Sequence, residues 1–137
     1  MTMMEILDAS ALIAFIKKES GYRVIEKLFL DAEKNNTSLF IHQINFIEFI
    51  YKMRQIYPIA EFDRIISDLQ TPLLGVMNYM DSDLAFFAGH IKASYRLSLA
   101  DATGLACSKV MRGRFWTADK ALLPIAEKEK IDIRLFR

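Results

Sequence analysis

Cysteine is nearly missing from this sequence: Cys107 is the only one in 137 residues. One thiol closes no internal disulfide and builds no thiolate zinc site, and His42 and His90 are the only imidazoles. The ligands that zinc and copper prefer are therefore scarce. A chain of this size without disulfides is expected in the cytoplasm. Three prolines and five glycines leave little material for long irregular loops. Charge of one sign is not in excess either. Eighteen Lys and Arg stand against 17 Asp and Glu, a net charge of +1. That balance excludes a protein that binds polyanions through overall charge, though not one with a local basic surface. Long apolar runs are also lacking. The amino-terminal MTMMEILDASALIAFIKKES has no basic residues ahead of its apolar stretch, and Glu5 and Asp8 interrupt it. Neither a signal peptide nor a membrane span is expected there. No G-x-x-x-x-G-K, G-x-G-x-x-G or G-x-S-x-G occurs, so phosphate-cradling loops and serine-hydrolase elbows lack their local requirement.

What is present is a globular composition, 53% hydrophobic and 26% charged, with mean hydropathy +0.15. A chain of 15.8 kDa buries roughly two-thirds of its unfolded surface, enough for one domain over 1–137 without a staple. Apolar periodicity predicts short strands over 3–7, 38–41, 73–77, 115–117 and 131–136. Helices are predicted over 11–18, 21–35, 43–57, 61–69, 81–95, 98–113 and 120–130. This alternation implies an α/β fold, a three-layer sandwich with a central, mainly parallel sheet of about five short strands. In such sheets ligands bind beyond the carboxyl ends of the strands.

That rule gives meaning to the acids. Asp8 follows the first strand directly and Asp119 follows the fourth within two residues. Glu48 is embedded in I44-N-F-I-E-F-I50, and Asp101 in L97-S-L-A-D-A-T-G-L-A106. Each has an ordinary structural explanation. An Asp cap contributes about 1 kcal/mol, and an acid in a first turn about 0.3–1 kcal/mol. Convergence on one pocket explains all four together. Such a cluster must protonate or bind cations, and oxygen-only ligands select Mg²⁺ or Mn²⁺. The hydroxyls of Ser10, Ser98 and Thr117 lie beside three of the acids and are placed to orient them.

The order L7-D-A-S10, E48 within a helix, L97-S-L-A-D101-A and T117-A-D119 resembles the PIN domain, and more narrowly the VapC-type toxins of toxin–antitoxin modules. The resemblance runs from about residue 6 to residue 136. It implies a PIN-like fold and a metal-dependent endoribonuclease. Asp8, Glu48, Asp101 and Asp119 would be its catalytic, metal-holding acids and Mg²⁺ (or Mn²⁺) its cofactor. It also implies an RNA substrate, a small cognate antitoxin and a homodimer. Gly104, His42 and Asn45 depart from the family pattern, the first where a better helix former is usual and the others where small hydroxyl residues are common. The alternative reading is a PIN-like module that binds RNA or protein without cleaving. A phosphatase or receiver domain would need a second acid beside Asp8, which D8-A-S10 does not supply.

Setting the four acids aside leaves 13 acidic groups against 18 basic ones. This modest excess suits a polyanionic substrate, with Lys109, Arg112, Arg114 and Lys120 expected to flank the site and bind RNA. Tyr95 and Trp116 are the candidate stacking platforms for bases, with core packing the competing role for Trp116. The apolar 43–57 helix and its successor carry Phe46, Phe49, Ile50, Met53 and Phe62, expected to line a groove for the partner.

Overall fold

The computed structural model of the protein describes residues 3–69 and 71–137, so positions 1, 2 and 70 of the domain expected over 1–137 lie outside it. Its strands are only three or four residues long: β1 (Glu5–Leu7), β2 (Leu39–His42), β3 (Leu74–Met77), β4 (Arg114–Thr117) and β5 (Asp132–Leu135). They form one sheet in the order β3-β2-β1-β4-β5, with every neighbouring pair parallel. In β1, Ile6 registers with Phe40 and Phe115, and Leu7 with Ile41 and Trp116. Successive side chains point to opposite faces, so Ile6 and Leu7 seed two separate cores. Leu7 packs with Leu12, Ile25, Phe49 and Met53, and Ile6 with Leu84, Ile91, Leu105 and Phe115.

Those two cores define the outer layers. Helices α1 (Ala9–Lys17), α2 (Tyr22–Asn35), α3 (Gln43–Ile56) and α4 (Ile59–Leu69) supply the first. Helices α5 (Ser82–Tyr95), α6 (Leu99–Met111) and α7 (Leu123–Glu129) supply the second. The chain steps outward from β1 to β3, then crosses back to β4 and β5. With right-handed crossovers, that reversal moves the later helices to the other face. It also leaves a crevice between the carboxyl ends of β1 and β4, where the winding changes direction.

Local chemistry sets the element ends. Asp8, His42, Asp81 and Ser98 cap α1, α3, α5 and α6 with their side chains. Because Asp8 is the cap, α1 starts at Ala9, earlier than the pattern suggests. The helix expected over 120–130 splits into a 3-10 turn, Lys120–Leu122, and α7. Pro124 lacks an N–H and is tolerated only in a first helical turn, so α7 begins beside it.

The departures at Gly104, Asn45 and His42 also find their reason here. A Cβ on Gly104 would stand 2.4 Å from the Phe115 ring and 3.1 Å from Asn45 Nδ2. The missing side chain is the space into which Phe115 and Asn45 pack, and Asn45 Nδ2 donates to the Ala100 carbonyl at 3.1 Å. His42 Nδ1 accepts from the Ile44 N–H while Nε2 donates to the Tyr79 carbonyl at 2.8 Å, which pins the tautomer. Gly104→Ala is expected to cost about 1–3 kcal/mol, because overpacking a closed core outweighs the gain of about 1 kcal/mol in helix propensity. Urea unfolding measures it, and an unchanged midpoint would contradict this packing argument.

Candidate active site

Four elements deliver four carboxylates to the crevice. Asp8 leaves the end of β1 and is 6% exposed. Its Oδ1 accepts from the Ala11 N–H at 2.9 Å and from the Ser10 hydroxyl at 2.6 Å. Ser10 Oγ in turn accepts from the Ala118 N–H at 3.2 Å, and the Asp8 N–H donates to the Trp116 carbonyl at 3.1 Å. The ends of β1 and β4 are thus stitched together around this carboxyl. Asp119 follows β4, its N–H donating to the hydroxyl of buried Thr117 and its Oδ1 accepting from Ala121. Asp101 lies in the first turn of α6, where its N–H donates to Ser98 Oγ at 3.1 Å. Glu48 comes from α3. All four line one cavity of about 350 Å³, with Ala9, Ser10, Lys52 and Ala118.

The electrostatics follow from this crowding. Burial pushes the Asp8 carboxyl up to about 6, against the pull of hydrogen bonds from Ser10, Thr117 and Ala11, and the Asp101 charge adds to the rise. Burial also raises Asp101, with Ser98 opposing and the charges of Glu48 and Asp119 reinforcing. Carboxylates destabilised by desolvation and by one another gain most from a cation. The donor set is oxygen only, which suits Mg²⁺ or Mn²⁺, ions that keep part of their water shell and use one or two carboxylates. Among the described residues no three such groups close on a single point, so the acids line a shared wall. A larger hollow of about 530 Å³ lies at the amino ends of the strands, but its charges are already paired. Glu5 there meets Arg114, Asp31 meets Lys27 and Arg134 meets Asp132.

Two expectations about the surroundings are corrected. Lys109, Arg112 and Arg114 do not flank the acidic cavity. Lys109 and Arg112 sit at the carboxyl end of α6, and the helical rise puts them about 12 and 17 Å along the axis from Asp101. Lys109 Nζ donates to the Lys130 carbonyl, and Arg114, at the start of β4, pairs with Glu5 at 2.6 Å. Trp116 also donates to Glu5 and packs against the core, the role that competed with base stacking. Of the four basic residues only Lys120, exposed beside Asp119, stays at the rim. The residues expected to line a partner groove likewise form no exposed surface of their own. Phe49, Met53 and Phe62 are buried in the core, and Phe46 and Ile50 are half-buried against it. The apolar side chains that α3 and α4 expose are Ile47, Tyr51, Ile56 and Ile59. One cavity residue, Lys52, escaped the sequence reading, although its place four residues after Glu48 puts both on one helix face.

No curated protein matches the chain. Solved structures with the same fold include a toxin–antitoxin complex from Klebsiella pneumoniae, 17% identical with TM-score 0.70, covering 97% of this chain and 98% of that one. VapBC2 from Rickettsia felis, bound to a promoter DNA fragment, is 13% identical with TM-score 0.73 over 97% and 98%. DNA-bound VapBC from Salmonella typhimurium is 18% identical with TM-score 0.70 over 99% and 100%. The sequence model of the PIN domain matches residues 6–128. With that match spanning most of the sequence and its acids gathered at the sheet's switch point, this chain belongs to the PIN domain family.

Proposed function

We propose that this protein is a metal-dependent endoribonuclease and the toxin of a type II toxin–antitoxin pair. The observation that carries the reading is the convergence of Asp8, Glu48, Asp101 and Asp119 on one cavity where the sheet reverses its winding. Asp8 and Asp101, the two acids raised by burial, would hold Mg²⁺ or Mn²⁺, with Glu48 and Asp119 completing the site. When bound, the ion lowers the pKa of a water and neutralises charge on the scissile phosphate. The chain's own residues position the reaction. Ser10 and the Ala11 N–H both bind Oδ1 of Asp8 and fix that carboxyl. Glu48 and Asp119 orient the attacking water, and in-line displacement leaves a 5′-phosphate and a 3′-hydroxyl. Lys120 at the rim meets the RNA backbone.

The partner follows from the same face. Ile44, Ile47, Tyr51, Ser98 and Ala100 line a shallow hollow of about 250 Å³ that shares Glu48 with the acidic cavity. An antitoxin seated there would cover exposed apolar surface and the mouth of the site together, in keeping with the toxin–antitoxin assemblies among the structural neighbours. Phe86, 83% exposed, with Tyr79 and Met80, offers further apolar surface for a homodimer. No helix among the described residues is long and apolar enough to cross a membrane, and we place the activity in the cytoplasm.

The test is a panel of structured and single-stranded RNAs with Mg²⁺, Mn²⁺ or EDTA, using protein freed of any co-purified partner by denaturation and refolding. Metal-dependent internal cleavage is expected. Cleavage that survives EDTA would refute the metal role. A folded protein that neither cuts nor binds metal would be a binding module.

A further inference from the structure

The acidic cavity carries a positive charge of its own. Lys52 lies one turn beyond Glu48 on α3, and its Nζ stands 2.8 Å from Glu48 Oε1. On an open helix face such a pair has little consequence. Here both side chains line the cavity that holds Asp8, Asp101 and Asp119. The side chain of Glu48 is 25% exposed and that of Lys52 42%, so the pair sits at the water boundary of the site. Its field crosses the cavity. Glu48 and Asp8 favour the charged form of Lys52, and Lys52 eases the charge on Asp101. Among the described residues, Asp8, Asp101 and Asp119 form no ion pair, and Lys109, Arg112 and Arg114 are at the opposite end of the sheet. Among the described residues that line the cavity, Lys52 is thus the one cation at hand where the four acids must be held together without a metal, Lys120 standing at the rim.

We propose that Lys52 is a built-in counter-ion of the cavity, occupying Glu48 until a divalent cation displaces its ammonium and so setting how tightly the site takes that cation. The inference rests on the metal-site reading given above. Two cations compete for one carboxylate. The tethered one is always present, and its flexible four-carbon stem lets it swing aside without disturbing α3. A divalent ion entering the cavity must break the pair and then sit within reach of the displaced charge, and both effects weaken its binding.

Mn²⁺ alone, titrated calorimetrically without RNA, tests this. Lys52→Met removes the charge but keeps an unbranched, helix-favouring side chain. It is expected to bind Mn²⁺ about tenfold more tightly than the native protein at low salt, with the gain shrinking as ionic strength rises. Lys52→Arg retains the charge and should stay within about twofold of the native affinity. In a Glu48→Gln background, removing Lys52 should gain clearly less than the roughly tenfold seen with Glu48 present, because the competition for the carboxylate is gone and only the repulsion remains. A Lys52→Met protein that binds Mn²⁺ no more tightly, or a gain that persists undiminished without Glu48, overturns the counter-ion role and leaves the metal site standing. No Mn²⁺ binding by any of the proteins overturns both.

Discussion

Asp101→Asn is expected to lower metal-dependent RNA cleavage by about a thousandfold or more while leaving the protein folded. The two halves of that expectation have separate causes. Asp101 stands in the first turn of α6, but the cap belongs to Ser98, which takes the Asp101 N–H on its hydroxyl. Asn at this position keeps the size and the backbone bond, so α6 stays in place. What is lost is a charge in a cavity where the charges of Glu48 and Asp119 act on Asp101. A neutral amide is a poor ligand for Mg²⁺ or Mn²⁺, and a phosphodiester without a neutralising cation faces the full repulsion of the remaining acids. Lys109→Ala and Arg112→Ala, at the other end of α6, are expected to change cleavage less than about threefold, acting only through general attraction for RNA. Single-turnover cleavage with Mn²⁺, beside thermal melts of each variant, measures both. Native-like cleavage by Asp101→Asn would remove this carboxylate from the mechanism. A large loss in Arg112→Ala would place the RNA path across the opposite edge.

The contrast between Asp101 and Arg112 also shows where sequence reading reaches its limit. The acids were legible because two of them follow apolar strand segments within two residues, and the strand-end rule for α/β sheets then fixes their common edge. The elements were legible because Pro58, Asn35–Asn36 and Gly113 interrupt strong periodicity near their boundaries. Arg112 and Arg114 are near Asp101 and Asp119 in sequence, yet a helix and a strand run between them, and each element carries its far end away from the site. Helix α3 posed a different difficulty. Ile44, Phe46, Ile47, Phe49, Ile50, Tyr51 and Met53 spread apolar character over well more than one face of the helix. A period of 3.6 selects a buried face only when the other face is polar, so Phe49 and Met53 could not be told from Ile47 and Tyr51. Gly104 was visible as an oddity, but its reason, the Phe115 ring, comes from another element.

Asp8→Asn is expected to stabilise the metal-free protein at pH 7 by about 1–2 kcal/mol, although the same substitution should abolish cleavage. Burial holds the Asp8 carboxyl at about 6, whereas in the unfolded chain it titrates near the ordinary value of about 3.9. Between those values the folded state binds more protons than the unfolded one. Stability contributed by this group therefore falls as pH rises from about 4 to about 6, and above that the full penalty, about 2–3 kcal/mol, remains. Asp101, shifted in the same direction, adds to the slope. Asn carries no charge to desolvate, and its oxygen still accepts from the Ala11 N–H and the Ser10 hydroxyl. The difference in unfolding free energy between variant and native protein should accordingly be largest at pH 7 and close toward pH 4. Added Mg²⁺ should stabilise the native protein alone, by preferential binding to its folded state. Urea titrations across that pH range measure the difference, and a variant that is less stable than the native protein by the same amount at every pH would contradict it. The comparison separates the two roles of Asp8. As an N-cap, Asp and Asn are nearly equivalent, so a residue serving only as a cap would show almost no change. Stabilisation on losing the charge would mean that α1 does not need this carboxylate to be ionised, and that the ionised form is held against its own cost for the chemistry of the cavity.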